Sequence, residues 1–145
     1  MIVRGPAAVV LACACCLFAS CGRTSDRDVE LMSVAQARRL WSTQQGKQAP
    51  ATLFLDARSA EEFAEGHIPG AKNLTLANAT GELAPSVVRS ADKVVVYGPD
   101  PASPAAMGLA KRLMSQGVGD VYLMQGGLLR WRTNGGELEK AGPAR

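Results

Sequence analysis

Apolar positions in this chain follow two rhythms, one continuous and one periodic. Thr52-Leu53-Phe54-Leu55-Asp56 and Lys93-Val94-Val95-Val96-Tyr97 are nearly unbroken apolar runs, as expected of strands buried on both faces of a parallel sheet. Val29–Met32 and Asp120–Met124 read as two further strands, and Lys72–Leu74 as a brief extended piece. Between them the spacing becomes helical. Ser33-x-x-Gln36 and Ser59-x-x-Glu62 are capping boxes. After the first, Val34, Ala37, Leu40 and Trp41 share one face; the second opens a short helix that Gly66 stops. Ser103-Pro104 is an N-cap followed by Pro at the first helical position, with Ala106, Leu109, Ala110 and Leu113 as the buried stripe of a helix ending at Gly117. A further helix is expected within Glu82–Ser90 and a last one around Leu128, Leu129 and Trp131, while Gln44–Pro50 and His67–Ala71 are loop and turn. Strands alternating with helices predict an α/β fold: a parallel β-sheet of about five strands with helices on both faces.

Composition narrows the function classes. The chain has 145 residues, enough for one domain with a substantial core, and its 47% hydrophobic and 20% charged residues are those of a globular protein. Net charge is +3, with basic residues in scattered pairs (Arg38-Arg39, Lys111-Arg112, Arg130/Arg132) and few aromatics to interleave with them, so no nucleic-acid partner is expected. All four cysteines (Cys13, Cys15, Cys16, Cys21) precede residue 22, which excludes a disulfide framework for the body. No metal site and no cofactor are expected, because those cysteines have only Ala, Leu and Phe around them and no histidine nearby.

The N-terminus reads as an address. A basic start at Arg4, an apolar stretch from Ala7 to Ala19 and small residues after it make a secretory signal, too short for a spanning helix. Leu17-Phe18-Ala19-Ser20-Cys21-Gly22 resembles the lipobox of bacterial lipoproteins. That resemblance implies cleavage before Cys21 and acylation of its thiol, an anchor to which more than one chain contributes. The expected organisation is a signal peptide over 1–20, a polar tether over 21–28, a folded domain over 29–139 and a flexible tail over 140–145. The resemblance also implies a place in the bacterial cell envelope, with the outer membrane or periplasmic face favoured in a Gram-negative cell. The expected partners are the membrane, through the lipid, and an envelope protein.

Three segments then resemble the rhodanese-like domain family. They are Leu55-Asp56-Ala57-Arg58-Ser59-x-x-Glu62-Phe63-x-x-Gly66-His67-Ile68-Pro69-Gly70-Ala71, the strand Val94–Tyr97, and Gly117-x-x-x-Val121-Tyr122-x-x-x-Gly126-Gly127-x-x-x-Trp131-x-x-x-Gly135. The resemblance implies the family's parallel sheet and a sulfurtransferase chemistry in which a cysteine after the central strand carries sulfur as a persulfide. Loop amides at a helix N-terminus lower that thiol's pKa and hold the anionic donor. Here the loop is Gly98-Pro99-Asp100-Pro101-Ala102-Ser103-Pro104, with Gly98 at the family's cysteine position, and no cysteine lies between 22 and 145. Three prolines delete three amide donors, and Asp100 sets a carboxylate where an anion would bind.

The remaining candidates have structural roles as their better reading. His67, the sole histidine, fits a hydrogen-bonded turn. Asp56 and Arg58, at the C-terminal end of a strand, fit a supporting rim together with His67. Ser103 reads as an N-cap. Glu61 and Glu62 read as a solvated first turn, and Met107 and Met114 as core filler. The function expected is a catalytically inactive, membrane-tethered binding or regulatory module, with Gly98, Asp100, Ala102 and Ser103 as its binding loop. The alternative is a sulfurtransferase-related enzyme using a non-cysteine or partner-supplied group.

Overall fold

A computed structural model describes residues 24–44, 52–80 and 85–141. Cys21, the signal segment 1–20, the first residues of the tether, most of the 44–50 loop and the end of the tail lie outside the described residues. Five strands, β1 (Glu30–Ser33), β2 (Thr52–Asp56), β3 (Lys72–Asn73), β4 (Lys93–Tyr97) and β5 (Val121–Gln125), form one sheet in the order β1-β5-β4-β2-β3. Every pairing is parallel, with Leu55 opposite Val96 and Val96 opposite Leu123 across the centre. All strands therefore end on one rim.

The connecting helices are α1 (Val34–Thr43), α2 (Ala60–Glu65), α3 (Ser86–Arg89), α4 (Pro104–Ser115) and α5 (Gly127–Thr133). Both capping boxes form as the sequence predicts: Ser33 and Ser59 accept from the amides of Gln36 and Glu62, whose side chains accept in return. The short helix expected within Glu82–Ser90 is the turn Ser86–Arg89, starting right after Pro85, whose ring fixes the backbone ahead of Ser86; residues 82–84 lie outside the described residues. One element differs from expectation. The tether expected through Asp28 is already folded at its end. Ser25 and Asp28 close a capping box around a 3₁₀ turn, Asp26–Asp28, and Lys111 on α4 pairs with Asp26 at 2.8 Å.

Two apolar layers sandwich the sheet. Leu53, Leu55, Val94 and Val96 face Leu109, Ala110 and Leu113 of α4 and Val88 of α3. On the other face Phe54, Val95 and Tyr97 meet Ala37 of α1 and Leu128 and Trp131 of α5. Trp131 anchors this second layer. It is fully buried, meets Trp41 edge-on at 5.9 Å and Phe54 at 6.2 Å, and donates its indole N–H to Glu137 O at 2.8 Å. The alternation of β2 and β4 side chains between layers is what puts Asp56 and Tyr97 together at the rim.

Candidate functional site

The rim at the C-terminal ends of β2 and β4 is held by a buried ion pair. Asp56, completely buried, receives Arg58 Nε at 3.0 Å and Nη2 at 2.6 Å, and also the Arg58 amide at 3.0 Å. The same Nη2 donates to Gly66 O at 2.7 Å, tying the strand end to the close of α2. Asn73 Nδ2 donates to the carbonyls of Asp56 and Arg58, clamping the bend from the side. Burial opposes the guanidinium charge, but the hydrogen bonds and charge of Asp56 outweigh it and the Arg58 pKa rises. The pair is structural: the Asp56 carboxylate is paired, and the Arg58 guanidinium faces it.

Tyr97 is the rim residue that sequence reasoning missed, since it appeared there only as the last apolar residue of a strand. Its hydroxyl accepts from the Ile68 amide at 3.2 Å. Burial first, and then the charge of Asp56, pushes its phenol well above the ordinary tyrosine range, so it stays neutral. The signal that points to it is a lone polar atom at the end of a run otherwise buried on both faces.

His67 sits apart from this pair. Its ring stacks on Phe63 with centroids 3.7 Å apart. Nδ1 lies 2.8 Å from Phe63 O and Nε2 lies 3.0 Å from Glu139 Oε1, while its backbone makes a two-bond antiparallel bridge with Glu139. Gly70 N also donates to Glu139 Oε1. Both ring nitrogens are engaged with the turn and the C-terminal segment, so the imidazole is not directed at the rim. Glu139 is a second residue not singled out from sequence; 72 positions separate it from His67.

The loop after β4 is collapsed against its own helix. A Cβ built on Gly98 would lie 2.2 Å from Ser103 Oγ, 2.4 Å from Ser103 Cβ and 3.2 Å from Ala106 Cβ. The space in which a side chain at 98 would stand is thus filled by Ser103, which caps α4 by accepting from Ala106 N. The loop's carbonyls point outward into α5: Leu128 N donates to Gly98 O at 2.8 Å and Leu129 N to Pro99 O at 2.9 Å. Gly127 permits this approach, because at its φ of 56° a Cβ would come within 2.6 Å of Gly98 O. Asp100 Oδ1 accepts from Ala102 N at 2.9 Å, so one of the few remaining loop amides is answered by the chain's own carboxylate. An array of inward-pointing N–H groups is not what this loop presents.

Beside the loop lies a cavity of about 260 Å³, lined by Gly98, Asp100, Ser103, Met107, Leu123 and Gln125 among others. It brings together three of the four expected binding-loop residues; Ala102 lines a neighbouring cleft with Lys111. Asp56, Arg58 and His67 line neither. Among the described residues there is no group of three or more His, Cys, Asp or Glu that could hold a metal, and no helix long and apolar enough to cross a membrane.

Comparison with known proteins agrees with this architecture. The sequence pattern of the rhodanese-like domain family matches residues 37–134. A protein of unknown function from Rhodopseudomonas palustris, described as a possible tyrosine phosphatase, superposes with a TM-score of 0.66 at 23% identity, over 79% of this chain and 87% of that one. The rhodanese-like domain of an Anabaena protein superposes with a TM-score of 0.57 at 21% identity, over 79% and 85%. A thiosulfate sulfurtransferase from Pseudomonas aeruginosa matches at 30% identity and a TM-score of 0.60, over 77% of this chain but only 20% of its own length.

Proposed function

The chain belongs to the rhodanese-like domain family, and from that premise we propose that it is a member without sulfurtransferase activity, working as a binding or regulatory module. The observation that carries this reading is the Ser103 side chain standing in the space beside Gly98. Sulfur transfer by the family's chemistry needs a thiolate there, stabilised by converging amides. This loop has no thiol, has prolines at 99, 101 and 104, and turns the carbonyls of Gly98 and Pro99 into α5. The alternative, an enzyme using another group, finds little support in the candidates at hand. His67 is engaged at both ring nitrogens, Asp56 is paired with Arg58, and Ser103 Oγ caps a helix.

The second part of the proposal is location. Acylation at Cys21 would hold the module at the envelope membrane. The lipobox-like Leu17–Gly22 segment supports this, and the folded Ser25–Asp28 turn leaves only a few residues between that cysteine and the domain. Thiosulfate:cyanide turnover, assayed beside an active relative, tests the first part; turnover by this chain above the blank overturns it. The mass of the mature N-terminal peptide tests the second. A diacylated Cys21 is expected, and an unmodified or differently cut end removes the anchor from the proposal.

A further inference from the structure

The outer surface of α1 and α5 carries a concentration of charge that neither the loop nor the rim uses. These two helices bear Arg38, Arg39, Arg130 and Arg132 and no acidic residue. The whole chain is +3, so everything outside the two helices is net −1. All four arginines are exposed. Among the described residues none is within ion-pair distance of a carboxylate. Arg38 donates to the carbonyls of Asn134 and Gly135, which pins α1 to the end of α5 and sets its charge in the seam between them. Arg130 enters the same seam from the other side, lining a cleft with Ser33, Val34, Ala35 and Asn134. Leu129, next to Arg130 in the chain, is 53% exposed, a large apolar side chain on the same helix as Arg130 and Arg132.

From this asymmetry we infer that the α1/α5 face docks on an anionic phospholipid surface. Arginine forks match phosphate geometry, and a basic helical face with an exposed Leu among the charges is the arrangement that lies on a headgroup layer. The inference deepens the membrane location proposed above and rests on it for proximity. The lipid would hold the domain near the bilayer, and the arginines would choose which face turns to it. Each basic side chain near an anionic surface is worth on the order of fivefold in affinity, and salt screens it within a Debye length.

The test is arginine-selective dicarbonyl labelling of the full chain, purified in detergent and reconstituted into vesicles of phosphatidylcholine alone or mixed with phosphatidylglycerol. Labelled peptides are quantified by mass spectrometry. Arg89, exposed on α3 in the opposite layer, is the internal control. The expected result is labelling of Arg39, Arg130 and Arg132 slowed about fivefold or more on anionic vesicles relative to zwitterionic ones. Arg89 should be unaffected, and the protection lost in high salt. Equal labelling on both vesicle types overturns the inference, as does equal protection of Arg89 or protection by RNA or an acidic protein but not by lipid. Failure of the anchor reads out separately. An unlipidated chain does not sediment with zwitterionic vesicles at all, and its addition to preformed anionic vesicles then tests the arginine face directly.

Discussion

Replacing Gly98 by cysteine puts a thiol at the position that the family resemblance assigns to its nucleophile, and the structure predicts that the change destabilises the domain without creating activity. The new Cβ would stand 2.2 Å from Ser103 Oγ and 2.4 Å from Ser103 Cβ, far inside van der Waals contact. Because Ser103 Cβ is close to the backbone, rotating the hydroxyl away does not relieve the overlap; the loop itself has to move. Overpacking of this kind costs about 1–3 kcal/mol. For a domain of this size that is a fall of roughly 3–6 °C in melting temperature per kcal/mol. Ser103→Gly removes both clashing atoms and, at an N-cap, costs only a few tenths of a kcal/mol. A double-mutant cycle by chemical denaturation should therefore show Gly98→Cys costing on the order of 1 kcal/mol or more less in the Ser103→Gly background than in the parent. Thiosulfate:cyanide turnover should stay at the blank in both, since the prolines and the carbonyls directed into α5 remain. A Gly98→Cys variant as stable as the parent, with no coupling to Ser103, would refute the collapsed loop. Turnover by that variant would refute the argument about its amides.

Other consequences of the geometry can be measured independently. Arg58→Ala leaves the fully buried Asp56 carboxylate without its partner and should cost about 3–5 kcal/mol in urea denaturation, while Asp56→Asn/Arg58→Gln should cost less than the single change because no unpaired charge remains. Tyr97 has a raised folded-state pKa. Its contribution to stability is therefore fully present below the unfolded tyrosine value near 10 and is lost as pH rises above it, by at most about 1.4 kcal/mol per pH unit. Tyr97→Phe should flatten that alkaline decline, and an unchanged slope between pH 10 and 11.5 would contradict the assignment. His67→Ala should release the C-terminal segment and accelerate hydrogen exchange at the Glu139 and Gly70 amides, leaving β4 protected.

Much of this fold is legible in local pattern. The runs at Thr52–Asp56 and Lys93–Tyr97, the two capping boxes and the Ser103-Pro104 start of α4 depend on neighbours within about four residues, so composition and spacing suffice to place them. Where local cues conflict, prediction slips. The polar residues 25–28 looked like tether although Ser25 and Asp28 form a capping box of their own.

What the order of residues determined alone is that no cysteine follows Cys21, so no thiol of the folded domain is there to hold a persulfide, whatever its shape. What only the tertiary structure decided is how the space beside Gly98 is filled, and what holds the rim in place. Ser103 comes to rest on Gly98 because α4 must start where its apolar stripe can reach the sheet. Arg38 meets Asn134 because the parallel sheet ordered β1-β5-β4-β2-β3 lets the first and last helices pack side by side, and Glu139 meets His67 because the segment after α5 runs back along the turn that follows α2. Contacts spanning 72 and 96 positions leave no trace in periodicity, since each partner is a polar residue whose meaning comes from the distant chain that packs against it.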